Sequence, residues 1–107
     1  MDKYMVFYQK VPTDGGHMFD NYKIVVEGEI PTKYSYMGTV EADDLEHVFS
    51  LMNHPFINPL ATDSGQFLVE MSGTGHTSMS VNDVIVDLKT QTIYQVQETG
   101  FRVVGIF

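Results

Sequence analysis

The stretch Ser78–Val104, SMSVNDVIVDLKTQTIYQVQETGFRVV, decides the fold because it predicts three consecutive β-strands. β-Branched and aromatic residues dominate three short runs within it. Two segments of turn-type residues separate these runs, Lys89–Thr92 and Thr99–Gly100. Strands joined by such short connections pair antiparallel with their neighbours in sequence. The C-terminal part of the chain therefore predicts a three-stranded antiparallel unit.

Further strands are predicted upstream of this unit. Tyr4–Val11 is apolar enough to lie centrally in a sheet. Tyr22–Ile30 is predicted as its antiparallel partner, and Pro31–Gly38 as the polar connection that follows. One more short strand, Gln66–Met71, is predicted inside an otherwise irregular segment that is rich in proline and glycine.

One helix is predicted within Thr39–Asn53. Its apolar residues recur at the spacing i, i+3, i+4 and i+7, which places them on one helical face: Leu45, Val48, Phe49 and Met52. Asp43 is the predicted N-cap, with Glu46 as its capping-box partner. Pro55 ends the helix, and Asn53 is predicted as the left-handed residue at its end.

Together these elements predict a single α+β domain over residues 1–107. Its expected form is a strongly bent antiparallel sheet of five or six strands, partly barrel-like, with one main helix packed on it. An open sheet with a helix on one face is the alternative. The helix face should pack on sheet residues such as Ile24, Val84 and Val96.

The charge of the chain is acidic and uneven. The net charge is −8; residues 1–40 hold four basic and five acidic residues, whereas residues 41–107 hold two basic and nine acidic residues. Such a surface repels nucleic-acid phosphates, so no general binding of DNA or RNA is predicted. The acidic half of the chain either keeps the protein soluble or docks on a basic partner, and the composition does not distinguish between these two roles.

The sequence shows neither a transmembrane helix nor a signal peptide. The chain contains no cysteine, and no apolar run approaches the roughly 20 residues of a transmembrane helix. The N-terminal residues start with an acid and continue as strand-like sequence, unlike a signal peptide. We therefore predict a cytoplasmic protein with no membrane partner.

No arrangement of catalytic or metal-ligating residues is present in the sequence. The histidines lack the spacing of a metal site: His17, His47, His54 and His76. The segment Ser72–His76 lacks the lysine and the following helix of a phosphate-binding loop. No serine occupies a nucleophile elbow. We predict a protein that is not an enzyme and that uses no cofactor or metal.

A family resemblance rests on three segments: Gly75–Ile85 (GHTSMSVNDVI), Tyr94–Val96 and Gly100–Phe101. An E-G-E strand end and an acidic D-D-L-E helix precede them. This order resembles the YodL-like domain of small bacterial, plasmid and phage proteins. The resemblance implies a setting among mobile genetic elements and their hosts, and it implies no particular activity. The chain departs from the family pattern in the insertion His54–Ser72 and in Asn82, where glycine is common.

The residues of this motif also have a structural explanation. Asp83 is predicted to close a turn through its own backbone, and the hydroxyls of Ser78 and Ser80 to satisfy nearby backbone groups. Gly100 is predicted to adopt a positive φ that aims the ring of Phe101 inward.

Two classes of function remain. The first is a small binding or regulatory protein of a phage or mobile element that acts on a host protein with a basic surface; the alternative is a nucleic-acid-associated β-rich module. For the first class, the predicted contact surface combines segment Asn53–Gly75 with the acidic start of the helix. Its residues are Asp43, Asp44, Glu46, Phe56, Ile57 and Leu60. In the competing explanation, the last three residues close the open end of the sheet.

Overall fold

The computed structural model describes residues 1–10, 34–54, 58–73 and 77–106, without the side chains of residues 63 and 72. These ranges contain five strands, two α-helices and one 3-10 turn. In chain order they are β1 (Asp2–Gln9), β2 (Tyr34–Ala42), α1 (Leu45–Asn53), the 3-10 turn (Pro59–Ala61), α2 (Asp63–Ser72), β3 (Val84–Asp87), β4 (Thr92–Val96) and β5 (Phe101–Ile106).

The five strands form one antiparallel sheet in the order β2-β1-β3-β4-β5. The predicted C-terminal unit is confirmed, since β3, β4 and β5 pair in succession. The prediction that the first strand lies inside the sheet is also confirmed, because β1 pairs with β2 on one side and β3 on the other. The chain therefore brings its N-terminal strand between two segments that are distant in sequence.

The predicted partly barrel-like sheet with one main helix is wrong. The strands at the two edges, β2 and β5, are separated by three others, so the sheet is open. The segment Gln66–Met71, predicted as a strand, lies inside helix α2. The described part of the chain is mostly β with two short helices. The predicted strand Tyr22–Ile30 lies outside the described residues.

Strand β2 occupies residues that were predicted as a connection and as the start of the helix. It runs through Ala42, and it contains a bulge: Val6 pairs with Gly38, whereas Phe7 pairs with Tyr36. Gly38 has a φ of 139°, which glycine adopts readily and other residues rarely do. The bulge explains why the alternating pattern of a strand is broken in this part of the sequence.

Helix α1 confirms the predicted apolar face. Val48 and Met52 are buried, and Leu45 and Phe49 pack against them while partly exposed. The predicted capping residue, Asp43, was wrong by one position, since the N-cap is Asp44. The prediction for the helix end was also wrong, since Asn53 is its last helical residue and His54 follows in an extended conformation.

The sheet is apolar on both faces, because successive side chains of a strand point to opposite sides. The helix-side core contains Tyr4, Val6, Tyr8, Met37, Ala42, Val48, Met52, Leu60, Val69, Met79, Ile85 and Val96. The other face contains Phe7, Tyr34, Val84, Val86 and Ile93. The predicted helix contact is thus confirmed for Val96 on the helix side and wrong for Val84, while Ile24 lies outside the described residues. None of the described helices is long and apolar enough to cross a bilayer.

Candidate functional site

Helix α2 has well-defined ends. The side chain of Thr62 caps its start, with Oγ1 accepting a hydrogen bond from the backbone N–H of Gly65 at 3.0 Å. Gly73 ends it in the left-handed conformation, with a φ of 75°. These two residues fix the position of α2 in the chain.

The inward side of α2 is held closely against the 3-10 turn. A Cβ atom at Gly65 would lie 2.7 Å from the carbonyl oxygen of Leu60, which is closer than such atoms approach. Val69, one turn further along, is buried in the helix-side core. Only a glycine at position 65 allows this approach, so α2 has a fixed orientation on the molecule.

A single buried side chain fastens the segment that leads into α2. The amide of Asn58 donates to the carbonyl oxygens of Met52 and Thr77, at 2.6 and 2.9 Å, and its oxygen accepts from the N–H of Leu60 at 2.9 Å. Because Asn58 is buried, water does not compete for these hydrogen bonds. They tie together the end of α1, the 3-10 turn and the chain before β3.

The outward side of α2 exposes three large apolar side chains. Phe67 is 63% exposed, Leu68 37% and Met71 71%. Phe67 and Met71 are four residues apart, which makes them neighbours on the helix surface. A contiguous group of this kind differs from apolar residues scattered singly over a surface, and it is typical of a contact site. We refer to these three residues as the α2 patch.

The stretch of the chain that contains both helices is acidic. The sequence has no lysine or arginine between Lys33 and Lys89. Both helices lie on this side, since buried residues of each belong to the helix-side core. Glu70, on α2 itself, is exposed next to the α2 patch in sequence. A partner that approaches the α2 patch therefore meets two helices that carry Asp and Glu but no Lys or Arg.

The acidic residues predicted as a binding rim lie at the start of α1, and all three are exposed: Asp43, Asp44 and Glu46. The helix N-cap is Asp44 rather than the predicted Asp43, because Asp44 Oδ1 accepts from the N–H of His47 at 2.8 Å. The backbone N–H of Asp43 donates to His47 Nδ1 at 2.9 Å. That nitrogen acts as an acceptor here, so its contact with the Asp43 carboxylate at 3.7 Å is not an ion pair in this state.

Of the apolar residues predicted for the contact surface, the described ranges include Leu60 alone. Leu60 is only 2% exposed and belongs to the helix-side core. This burial agrees with the competing explanation for Leu60, in which it is a structural residue. Phe56 and Ile57 lie outside the described residues. Among the described residues of the predicted segment, the exposed large apolar side chains are those of the α2 patch.

The motif before β3 forms a buried junction between distant strands. Asp83 is fully buried, and its carboxylate accepts two backbone hydrogen bonds at 2.8 Å, from Ser80 N–H to Oδ2 and from Gln9 N–H to Oδ1. The bond to Ser80 is the predicted local turn, whereas the bond to Gln9 joins β1 to β3. Asn82, next to it, adopts a positive φ of 79°.

The remaining motif residues agree with the structural explanation in part. Gly100 has the predicted positive φ, at 77°, and Phe101 packs against the helix-side core. Ser80 takes part through its backbone N–H rather than through its hydroxyl. Ser78 is exposed. The motif therefore organises the start of β3 and the turn before β5.

Two tyrosines complete this junction. Tyr8 donates its hydroxyl hydrogen to the carbonyl oxygen of Thr77 at 2.8 Å, and Tyr34 donates to the carbonyl oxygen of Asn82 at 2.9 Å. Burial, and to a lesser extent the nearby Asp83 carboxylate, raise the pKa of Tyr8 above its usual value. Both phenols bond to backbone carbonyls, so they hold the chain before β3 in place.

The described ranges bring together no set of metal ligands. Within residues 1–10, 34–54, 58–73 and 77–106, no group of three or more His, Asp or Glu side chains could hold a metal ion. The buried polar groups described above are engaged in hydrogen bonds to the backbone. The α2 patch, with the acidic residues on its side of the sheet, is thus the candidate site that the described geometry offers.

No family model, curated protein or solved structure matches this chain. The resemblance to the YodL-like domain therefore stays a prediction from the sequence.

Proposed function

We propose that this chain is a small non-enzymatic binding protein that docks on a basic partner protein through the α2 patch. One observation carries the proposal: Phe67 and Met71 are more than half exposed, and they lie in a stretch of the chain, residues 34–88, that has no lysine or arginine. Apolar area supplies affinity, and charge of one sign selects the partner.

The energetics favour a contact centred on these two side chains. Full burial of a Phe or Met side chain contributes about 1.5–3 kcal/mol. Phe67 and Met71 leave most of this contribution unrealised in the isolated chain, since they are 63% and 71% exposed. Asp43, Asp44 and Glu46 would speed the encounter with a positively charged partner more than they would tighten the final complex.

The sequence resemblance supplies the proposed setting. A YodL-like protein of a phage or mobile element would act in the cytoplasm of its host, and the partner would be a host protein with a basic rim around an apolar contact. The nucleic-acid alternative receives no support from the charge of the described surface, because phosphates would be repelled by the helical side.

The absence of cysteine from the sequence permits a site-specific test. A single Met71→Cys substitution is labelled with a benzophenone maleimide and irradiated in host lysate, and the products are identified by mass spectrometry. The matched control carries the same label at Thr99→Cys, an exposed position before β5. We expect one discrete protein partner from position 71 and no protein other than the chain itself from position 99.

Two further measurements decide whether the contact is the proposed one. Adding Phe67→Ala to the Met71→Cys chain should weaken the crosslink while circular dichroism shows an unchanged fold. Raising the salt concentration should slow formation of the complex, because screening removes the attraction between acidic and basic surfaces. Equal crosslinking of the same proteins from positions 71 and 99 would reject the α2 patch as the binding site.

A further inference from the structure

Strand β5 leaves one edge of the sheet unpaired in the described part of the chain. It pairs with β4 on one side, and no described strand lies on its other side. Natural edge strands are usually protected from further pairing by lysines, prolines or inward-pointing charges. The sequence of β5, FRVVGI, has no lysine or proline, and Arg102 is its one charged residue.

A bulge in β5 places two apolar side chains on the same face of the sheet. Val103 pairs with Tyr94 and Ile106 pairs with Thr92, although three positions separate Val103 from Ile106. Tyr94 and Thr92 are two residues apart on β4, so they point to the same side, and their partners do as well. Val103 is 61% exposed and Ile106 is 71% exposed.

The helices leave this part of the sheet uncovered. Both α1 and α2 pack mainly over β2, which is the strand at the opposite edge. An added strand beside β5 would satisfy the outward backbone N–H and C=O groups and could cover the two apolar side chains together. A partner that fits this edge therefore needs an extended strand and apolar side chains.

The local charge distinguishes between possible occupants. Residues 84–106 carry two acidic and two basic side chains: Asp87, Lys89, Glu98 and Arg102. This part of the chain is therefore neutral, whereas residues 34–88 carry no lysine or arginine side chain. A basic partner gains no attraction here, whereas two copies of a protein with net charge −8 meet least repulsion at a neutral edge.

We propose that β5 is a self-association surface, on which a second copy of this chain pairs its own β5 in antiparallel orientation. A two-fold axis relates the two copies, so each copy contacts the other through the same surface. Two five-stranded sheets would join into one continuous sheet, with Val103 and Ile106 of each copy covered by those of its partner. This inference stands on β5 alone and does not depend on the function proposed for the α2 patch.

The test is the oligomeric state of the full chain, measured by sedimentation velocity from low micromolar to near-millimolar concentration. The wild-type protein should form a dimer as concentration rises. Val103→Lys places a charge at the edge and brings two like charges together across the two-fold axis, so it should raise the dissociation constant at least tenfold. Met71→Lys also places a lysine at an exposed apolar position, but on α2, and it should leave the dimer intact.

Hydrogen exchange followed by NMR identifies the paired strand. Amides of β5 that point away from β4 should gain protection as concentration rises, and those of β2 should not. If Val103→Lys proves unfolded by circular dichroism, Ile106→Lys serves in its place. A wild-type protein that stays monomeric throughout, a dimer lost with Met71→Lys but kept with Val103→Lys, or a dimer without added protection in β5 would each overturn the proposal.

Discussion

Removal of the Asp83 carboxylate should destabilise the fold more than removal of any exposed acid. Asp83 itself is fully buried, and its two oxygens each accept a backbone N–H at 2.8 Å, from the partly buried Gln9 and Ser80. In Asp83→Ala these two donors lose their acceptor, and an unsatisfied buried donor costs about 1–3 kcal/mol. The substitution also removes a buried negative charge, and the free energy that its burial cost offsets part of this loss. We therefore expect the free energy of unfolding to fall by about 2–4 kcal/mol.

The matched control is Asp87→Ala, at the other end of the same strand. Asp87 Oδ1 accepts one hydrogen bond, from the N–H of Lys89 at 2.9 Å, in an exposed turn where water replaces it. This change should cost less than about 1 kcal/mol. Urea denaturation followed by circular dichroism measures both values. Equal losses for the two variants, or a loss below about 1 kcal/mol for Asp83→Ala, would refute the conclusion that this carboxylate holds β1 to β3.

Three further predictions concern the core, the pH dependence and nucleic acid. Met52→Ala should lower the free energy of unfolding by about 2–5 kcal/mol, because Met52 is buried between α1 and the sheet, whereas exposed Glu46→Ala should cost under about 1 kcal/mol in the same urea assay. Because the pKa of buried Tyr8 is raised, the folded protein keeps a phenolic proton that the unfolded chain releases near pH 10. The contribution of Tyr8 to the free energy of unfolding is therefore complete below that pH and declines as the pH rises above it. Tyr8→Phe should therefore flatten the decline of the free energy of unfolding at alkaline pH, and an unchanged slope would contradict this assignment. Random DNA or RNA should not bind at physiological salt, and fluorescence anisotropy showing micromolar affinity with a steep salt dependence would instead favour the nucleic-acid alternative.

The strands and the first helix could be predicted where local pattern and tertiary contacts agree. The strands β3, β4 and β5 are short apolar runs between turn residues, and the face of α1 repeats with helical spacing. Strand β2 was missed because Gly38 and its bulge interrupt the alternation that marks a strand. Barrel closure was wrongly predicted because the pairing of edge strands is a long-range property that no local pattern encodes.

Helix α2 was mistaken for a strand because its pattern contradicts that of an ordinary surface helix. Its apolar residues Phe67 and Met71 point outward, while the inward position 65 is a glycine, which disfavours helices. The two signals that mark it in the sequence are Thr62 at the start and Gly73 at the end. The α2 patch could not be predicted for the same reason, since only the packing of Gly65 on Leu60 shows which side of the helix is exposed.

The acidic residues of the candidate site followed directly from the sequence, whereas the role of Asp83 did not follow in full. A turn bond to Ser80 is local, and residue type and position indicate it. The bond to Gln9 joins positions 74 residues apart, and it depends on the order of strands in the sheet. A sequence pattern shows which side chain is suited to accept such a bond, but the donor is known only from the fold.

The interior position of β1 has a consequence for biosynthesis. As the chain leaves the ribosome, Asp2–Gln9 emerges before the other described strands and can pair with β2, but its other neighbour, β3, is made only about 75 residues after it. At the usual rate of synthesis, several seconds pass while one edge of β1 lacks its partner and apolar residues on both faces lack theirs. The nascent chain is therefore most prone to aggregation in that interval, and a chaperone acting during synthesis would act on a strand that lies inside the sheet of the finished protein.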